Sequence, residues 1–500
     1  MEVNGLRQKA AIGLSLFLTA VLVLGGCSTI PHSIDPVSSA SAPPPVSAVQ
    51  TLPPFALSFS KEDSLHPYQA RSRANLDLVP LLYEGLTAIG ADYTARPSLA
   101  ASLDDTDPLK PVATIRADAV FSDGSPVTAQ DVAASFTAAK ASAHYGPLLT
   151  NVTGAAAVSA DRVVFTLAAR DPGWRACLSF PVVKRDSGDP PLGSGAYVYS
   201  AGENTLTLRP GRDGSITSIR LRDFPDADAM LHGLENGSLT FFYSELSNGE
   251  IPRTSSATAE MPLPDLLFLG INSKNAALRK TEVRAALSAA VSREELVSGA
   301  LVGRGTPAVS PFPPQWADAA DVNLLNLTEN IAAAVAQLEQ AGYNTTDSAG
   351  GLSFELLVTE GNRFRKTAAE LIRQQLLRAG ITVTVTELPF ADYESRLKRG
   401  QFDLYLGEIR LSADMHLRAL LSPGGAASYG LAADSPAAAA YGSYLAGDKT
   451  LAAFCEDFAA DLPYIPLCWR QGMAAFHRSL SGLSPHAFDV FHDLGSWIYA

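Results

Sequence analysis

Ser194 is the residue whose immediate neighbours first suggest catalysis, because it stands between Gly193 and Gly195. Glycines beside a serine are typical of a nucleophile that is held on a sharp turn. The nucleophile elbow of hydrolases, however, places each glycine two residues from the serine, as Gly-x-Ser-x-Gly. This segment lacks that spacing, and we therefore predict a backbone turn and not an active site.

The sequence contains no recognisable motif for binding a metal or a cofactor. There is no His-Glu-x-x-His, no Walker loop, no Gly-x-Gly-x-x-Gly after a strand and no set of paired metal-binding cysteines. The eight histidines do not cluster, and we expect His66, His144 and His477 to be surface or capping residues. We predict no metal site, no cofactor and no enzymatic activity.

The four cysteines are too few for a disulfide scaffold. Cys455 and Cys468 could pair and leave Cys177 free, but a sequence does not establish the geometry that a disulfide requires. The alternative is that all three are free thiols packed in the interior.

The length and the charge of the chain limit the classes of protein to which it can belong. Five hundred residues exceed what one hydrophobic core usually supports, so we expect at least two domains. Hydrophobic residues make up 47% of the chain and charged residues 18%, a composition typical of globular proteins. The formal net charge of −13, without any basic run, argues against nucleic-acid binding.

The first 54 residues have the features of an export signal followed by a tether. Arg7 and Lys9 precede an apolar run at residues 10–24, which is shorter than the ~20 residues needed to span a bilayer. The run ends in Leu-Gly-Gly-Cys27, which resembles a bacterial lipobox. We predict a lipoprotein signal at residues 1–26, lipidation of Cys27, and a Pro/Ser/Ala-rich tether at residues 27–54. An uncleaved membrane anchor is the alternative.

Residues 262–297 have the pattern expected of a hinge. An apolar run at residues 266–271 predicts a buried strand. Thr281 could cap a following helix, and Ser292 with Glu295 could form the capping box of a second one. A strand that leads into paired helices is where a chain can leave one sheet and enter another.

The second half of the chain alternates helical and strand patterns. Strands are predicted at residues 352–358, 381–385 and 401–406, with a helix at residues 364–379 between the first two. Such alternation indicates βαβ units and a mostly parallel sheet, in which ligands bind beyond the carboxyl ends of the strands. The strand at residues 401–406 would therefore deliver residues 407–414 into a cleft.

Several segments together resemble family 5 of the extracytoplasmic solute-binding proteins, the peptide and nickel receptors of ABC importers. The most specific is Phe-Ser-Asp-Gly-Ser-Pro-Val-Thr-Ala-Gln-Asp-Val at residues 121–132, where Asp-Gly predicts a turn and Thr128 a helix cap. The hinge, the Gly-Ser-Gly-Ala-Tyr turn at residues 193–197 and the segments at 308–314 and 462–467 also match the family.

The resemblance implies an α/β, two-lobe fold like that of the class II periplasmic binding proteins, with an extra subdomain inserted in the first lobe. We assign the first lobe to residues 55–75, 187–262 and 462–500, the inserted subdomain to residues 76–186 and the second lobe to residues 263–461.

The resemblance also implies a function. The protein would be a monomeric, lipid-anchored receptor on the outer face of the cytoplasmic membrane. It would capture peptides between closing lobes and deliver them to an ABC permease. A nickel-chelate receptor and a peptide-signal sensor are alternatives of the same fold, and a secreted hydrolase is a less favoured one.

The same resemblance suggests which residues contact the ligand. Relatives place an aspartate after the strand that enters the cleft, where it pairs with the peptide's α-ammonium group, and Asp414 stands near that position. The alternative for Asp414 is a cap on a helix at residues 417–421. His416 is the candidate ligand of a nickel chelate, Trp469 is either a cleft wall or core, and Arg410 and Asn272 complete the predicted ligand-binding set.

Overall fold

The structure is a computed structural model that describes residues 52–343 and 351–500. The predicted signal, Cys27 and nearly all of the predicted tether lie outside the described residues. Within the described part of the chain, no helix has the length and apolar character needed to cross a membrane.

The strands, in chain order, are Ala56–Phe59 (β1), Thr87–Ile89 (β2), Ala95–Pro97 (β3), Ala100–Asp104 (β4), Val112–Ile115 (β5), Val152–Ala157 (β6), Arg162–Leu167 (β7), Tyr197–Ser200 (β8), Thr205–Leu208 (β9), Ser218–Asp223 (β10), Phe241–Ser244 (β11), Ala257–Ile271 (β12), Gly305–Pro307 (β13), Leu352–Thr359 (β14), Ile381–Leu388 (β15), Leu404–Arg410 (β16), Tyr464–Phe476 (β17), Leu480–Ser481 (β18) and Ile498–Tyr499 (β19). The helices are Arg73–Leu82 (α1), Ala129–Ala141 (α2), Ala227–Glu235 (α3), Thr281–Ala290 (α4), Arg293–Glu295 (α5), Ile331–Gln340 (α6), Arg363–Arg378 (α7), Phe390–Lys398 (α8), Arg418–Leu421 (α9), Pro436–Ala446 (α10) and Leu451–Asp461 (α11).

The amino-terminal sheet has the strand order β1-β10-β9-β8, with β1 parallel to β10 and the other pairs antiparallel. Residues alternate between buried and exposed along β10, and Ile219 and Leu221 point into a core that α1 also enters. Helix α1 begins at its cap Ser72, whose side chain accepts the Asn75 N–H, and it packs Leu78 and neighbouring residues against this sheet.

The small sheet, β4-β5-β7-β6, is antiparallel and packs with α2 around a separate core that includes Phe121 and Phe165. Thr128 caps α2 and Asp131 completes a capping box, so the predicted helix start is confirmed. Gly124 has a φ of +87°, as the predicted Asp-Gly turn requires. This core lies within the range predicted for the inserted subdomain, and that subdomain with its limits of 76–186 stays a prediction.

The hinge strands, β12 and β17, are 15 and 13 residues long and pair antiparallel along most of their length. One half of β12 contributes Met261 to the core of the amino-terminal sheet, and the other half contributes Leu269 to the core around α4, α6 and α7. The pairing shifts register between Pro262 and Leu266, where proline interrupts the ladder because it has no N–H to donate. The two strands thus connect two cores through an irregular midpoint.

The central sheet has the strand order β11-β17-β12-β16-β14-β15, with β13 paired to β17. Strand β14 runs parallel to β15 and β16, while the pairs of β12 with β16 and β17 are antiparallel. The predicted parallel sheet therefore covers only the three strands joined by α7 and α8, because parallel neighbours need such crossover helices and the hinge strands have none.

Strand β16 differs from its prediction in a way that affects the site. It was predicted to end at Leu406 but runs to Arg410, because residues 407–410 continue to pair with residues 265–268 of β12. The segment that enters the cleft is therefore shorter than predicted and begins at Arg410.

Two local details of the predicted hinge helices also differ. Helix α4 begins at Thr281 itself and has no side-chain cap, so the predicted Thr281 cap is wrong by one position. Ser292 accepts the Glu295 N–H at 3.2 Å, but the Glu295 carboxylate binds Gln375 at 2.8 Å and not the cap backbone. Only half of the predicted capping box forms, because α7 supplies a competing partner.

Cys177, Cys455 and Cys468 are free and buried. Burial raises the pKa of Cys455 and of Cys468 to about 12. Of the two alternatives that the sequence left open, the structure has the free thiols.

Candidate functional site

A cavity of about 560 Å³ lies where segments from distant parts of the chain converge. Its walls are formed by α1, by residues 83–89, by the turns at residues 144–148 and 179–181, by residues 410–413 and by residues 487–490. We call it the central cavity. Its volume is in the range of sites that bury a drug-sized ligand, and its lining mixes aromatic, aliphatic and charged side chains.

Arg73 and Asp77 face the central cavity from α1. Arg73 Nε donates to Asp77 Oδ1 at 2.8 Å, and the Tyr243 hydroxyl donates to Asp77 Oδ2 at 2.5 Å. Burial raises the pKa of Asp77 to about 6 even though Arg73 and Tyr243 act in the opposite direction. Each oxygen of this carboxylate therefore already accepts a hydrogen bond from a protein donor.

Arg410 lines the cavity and belongs to a group of charges that we call the hinge network: Glu245, Asp265, Glu408, Arg410 and Arg470. Arg410 binds Asp265 at 2.6 and 3.0 Å and Glu245 at 3.0 and 2.7 Å. Arg470 donates to Asp265 at 3.0 Å and to Glu408 at 2.7 Å. The network ties both hinge strands to β16 directly behind the cavity.

The inner pair of the hinge network, Asp265 and Arg470, is almost completely shielded from solvent. The side chains of Asp265 and Arg470 are each 5% exposed. The pKa of Arg410 is raised because the hydrogen bonds and charges of Asp265 and Glu245 outweigh the effect of burial, which is the largest single influence and acts in the opposite direction. Arg410 is thus a cavity-lining residue, as predicted for its segment, but its guanidinium is occupied by two carboxylates.

Two further carboxylates line the cavity, and only one of them has a guanidinium partner. Glu84 lies 3.2 Å from Arg212 and 3.6 Å from Arg116. Asp489 accepts a hydrogen bond from the Phe491 N–H at 3.0 Å. Among the described residues, the nearest side-chain nitrogen that could carry a positive charge is His492 Nδ1, at 4.0 Å. Burial, with a smaller contribution from the charge of Asp77, raises the pKa of Asp489 to about 7.

His416 lies outside the cavity wall and has protein partners at both ring nitrogens. Its Nε2 is 2.8 Å from Asp171 Oδ1 and its Nδ1 is 3.1 Å from the Tyr441 hydroxyl. Burial disfavours the Asp171 carboxylate, but His416 and Arg418 together hold its pKa below the usual value. His416 therefore joins the second half of the chain to the loop that follows β7.

Asp414 lies at the same contact and also outside the cavity wall. Its Oδ1 accepts from the Ser412 hydroxyl and from the His416 N–H at 3.4 Å. A Cβ atom added to Gly173 would lie 2.5 Å from the Asp414 carbonyl oxygen, so only glycine allows this approach. We call Asp171, Gly173, Asp414 and His416 the clasp.

The alternative that Asp414 caps a helix is wrong. Helix α9 begins at Arg418 after Leu417, and no side chain caps it. Met415 has a φ of +53° between Asp414 and that helix. This left-handed residue turns the chain, so the Asp414 carboxylate faces its own loop and not the helix N–H groups.

The other predicted residues have structural partners. Asn272 is buried, and its side-chain amide donates to the carbonyls of Gly400 at 3.2 Å and Phe402 at 2.7 Å. Trp469 is 1% exposed and packs within an aromatic core. Neither residue lines the central cavity.

Ser194 is fully buried, and its carbonyl oxygen accepts from Arg209 at 2.8 Å and from Arg212 at 3.0 Å. The predicted turn takes the form of a bend at residues 195–196, and a hydrolytic serine at this buried position has no access to a substrate. Among the described residues, no group of three or more His, Cys, Asp or Glu side chains could hold a metal ion.

Sequence reasoning missed most of the charged residues that the structure brings to the site, among them Asp77, Asp171, Glu245 and Asp489. None belongs to a motif, and each lies in an otherwise ordinary helix, loop or turn. Only the approach of segments that are hundreds of residues apart gives these side chains a common location.

Comparison with known proteins agrees with this architecture. The family model described as bacterial extracellular solute-binding proteins, family 5, matches residues 94–422. The oligopeptide-binding protein AppA of Bacillus subtilis (strain 168) is 24% identical over 432 residues, which are 75% of this chain and 76% of AppA.

Solved structures share the fold at low sequence identity. The unliganded, open form of the periplasmic murein tripeptide binding protein MppA has a TM-score of 0.74 and 16% identity, covering 89% of this chain and 97% of MppA. NikA from Brucella suis, in complex with Fe(III)-EDTA, has a TM-score of 0.66 and 20% identity, covering 89% of this chain and all of that chain (100%). The α/β periplasmic-binding-protein fold is therefore confirmed, and the chain belongs to family 5 of the bacterial extracellular solute-binding proteins.

Proposed function

We propose that this protein captures short peptides in the central cavity and delivers them to the permease of an ABC importer. The observation that carries the proposal is the cavity itself. Residues 410–413 close it from the side of the central sheet, while α1 and residues 144–148 close it from the other side. AppA and MppA, which bind an oligopeptide and a murein tripeptide by name, support peptides as the substrate class.

Closure would proceed by bending at the hinge strands. The register shift near Pro262 gives β12 a natural point of flexion. The two sides of the clasp are in contact here, with His416 Nε2 2.8 Å from Asp171 Oδ1, and opening at the hinge would separate them. A ligand would be desolvated between the walls of the closed cavity, and closing around a ligand by a hinge motion is common in periplasmic binding proteins.

The volume of the cavity favours a ligand of a few residues. At about 560 Å³ it falls in the middle of the range for drug-sized ligands, so a long peptide would have to extend outside the walls. No observation in this structure favours the nickel-chelate alternative, because both ring nitrogens of His416 are already engaged. Uptake of labelled tripeptide by cells with and without the gene distinguishes an importer from a sensor.

Binding should stabilise the protein and make it more compact. A mixed tripeptide library at ~100 times its Kd should raise the free energy of unfolding by about 2.7 kcal/mol. X-ray scattering should show a smaller radius of gyration because the lobes close on the ligand. Binding with an unchanged radius would exclude closure as the mechanism, and the absence of binding to any library member would exclude peptides.

We also propose that the mature protein is monomeric and anchored by lipid on Cys27, on the outer face of the cytoplasmic membrane. The lipobox-like Leu-Gly-Gly-Cys and the proline-rich tether support the lipid anchor. Cys27→Ser should prevent acylation, because the thiol is the acceptor, and metabolic labelling with radioactive fatty acid should then mark the natural protein and not the variant. Labelling of both proteins, or of neither, would contradict lipid on Cys27.

A further inference from the structure

Four of the five carboxylates and guanidiniums on the wall of the central cavity have an oppositely charged partner within the protein. Arg73 lies 2.8 Å from Asp77, and Glu84 lies 3.2 Å from Arg212. Arg410 binds two carboxylates of the hinge network. A charged group of a ligand would have to compete with partners that are already in place, and it would lose its hydration on entering the cavity.

Most of these pairs belong to a row of alternating charge that extends beyond the cavity. Neighbours in the row are separated by 2.6 to 3.6 Å between nitrogen and oxygen. The row contains four carboxylates and four guanidiniums, whose charges cancel. In order, its members are Asp77, Arg73, Glu245, Arg410, Asp265, Arg470, Glu408 and Arg365. Each inner member lies between two groups of opposite sign, so the row leaves no charge unbalanced at the cavity wall.

The other ionisable groups on the wall favour their neutral forms. Burial is the main cause that raises the pKa of Asp489 to about 7, so below this pH the carboxyl group is mostly protonated and needs no cationic partner. Partial desolvation, with a smaller contribution from the charge of Arg73, lowers the pKa of His144. Burial raises the pKa values of Tyr83 and Tyr145, which remain neutral phenols.

Apolar side chains form much of the rest of the wall. Leu76 and Pro80 line the cavity beside Arg73 and Asp77, because spacings of three and four residues place all four on one face of α1. Leu76 is half-buried and belongs to none of the four cores formed by the described residues. Other segments contribute further apolar side chains, namely Ile89, Leu148, Leu411, Phe488 and Val490.

We propose that the central cavity selects uncharged, largely apolar peptides, whose ends are blocked or joined in a ring. This inference rests on the proposed peptide-binding function and names the class of peptide. Apolar contacts supply the affinity, at roughly 25 cal/mol for each Å² removed from water. The hydroxyl groups of Ser98 and Ser179 also line the cavity, and their oxygens can accept hydrogen bonds from the amide groups of such a peptide.

The test compares four peptides of equal length by calorimetry with the full mature protein. Acetyl-Leu-Leu-Leu-amide has no ionised group. Two further peptides have the same blocked ends, with either lysine or glutamate at the central position. The fourth is Leu-Leu-Leu with free ends, which adds an α-ammonium and an α-carboxylate without changing any side chain.

We expect the uncharged peptide to bind most tightly and each of the other three to bind at least about tenfold more weakly, because each brings a charge that finds no free partner. Equal or tighter binding of any charged peptide would overturn the proposed selectivity and leave the receptor function intact. Binding of a mixed tripeptide library without binding of the uncharged peptide would also overturn it. Failure of the library and of all four peptides to bind would overturn the peptide-receptor function itself.

Leu76→Gln tests the contribution of the apolar wall. Glutamine favours helices, so α1 should remain folded, and thermal unfolding checks this. The substitution should weaken binding of the uncharged peptide roughly tenfold, because burying a leucine side chain contributes a factor of at least this size. Leu377→Gln on α7 is the matched control, since Leu377 is 54% exposed and does not line the cavity. Equal affinities of the two variants would contradict apolar recognition at this wall.

Discussion

Replacing Asp265 by alanine is expected to lower the free energy of unfolding by roughly 3–5 kcal/mol. Asp265 is the carboxylate shared by Arg410 and Arg470, at 2.6 Å and 3.0 Å. Its removal leaves the almost fully buried guanidinium of Arg470 with one carboxylate in place of two. Urea denaturation monitored by circular dichroism measures the change.

A matched control is Asp434→Ala, which removes the partner of Arg279 at 3.0 Å. Both side chains of that pair are exposed, by 67% and 72%, so its loss should cost only about 0–1 kcal/mol because solvent screens the charges. Equal effects of the two substitutions would show that the hinge network does not support the fold. If the hinge network does support the fold, replacing Arg470 by methionine in the Asp265→Ala variant should restore part of the lost stability, because the substitution removes the buried charge that lost its partner.

Replacing Gly173 by alanine is expected to weaken ligand binding by roughly 5–150-fold, with little change in the stability of the ligand-free protein. The new methyl group would lie 2.5 Å from the Asp414 carbonyl oxygen, a backbone atom that no rotamer change can move. Overpacking of this kind typically costs about 1–3 kcal/mol, and about 1.4 kcal/mol is a factor of ten in affinity. The penalty falls on the closed form because opening separates the two surfaces.

Calorimetry gives the affinity, and scattering with saturating tripeptide gives the radius of the complex. Gly202→Ala is the control, since an added Cβ there has no atom within 4 Å. An unchanged affinity and radius for Gly173→Ala would mean that the clasp does not form in the ligand-bound state. A loss of stability without ligand would instead indicate that the clasp is a permanent contact.

One short segment, residues 408–416, takes part in all three features described above. Glu408 and Arg410 belong to the hinge network, residues 410–413 line the cavity, and Asp414 and His416 belong to the clasp. A movement at the hinge would therefore displace the cavity wall and the clasp at the same time. This arrangement offers a physical route by which ligand binding and closure could be coupled.

The sequence by itself determined the class of fold and much of the local structure. The turn and capped helix at residues 121–141 follow from side chains that satisfy their own neighbours, as the Thr128–Asp131 capping box does. The alternation of β14, α7 and β15 follows from hydrophobic periodicity in the same way. Such features depend on residues within a few positions of one another, so a linear pattern contains all the information that they need.

Only the tertiary structure decided the site. Asp414 and His416 were predicted from their place after a strand. The partner of His416 is Asp171, 245 residues away, and Asp414 packs against Gly173. The extension of β16 to Arg410 depended on pairing with β12, and the isolation of Asp489 depended on which cations other segments brought to the cavity. Whether a carboxylate binds a ligand, a salt-bridge partner or a helix depends on its charged neighbours in space, and chain spacing does not specify those neighbours.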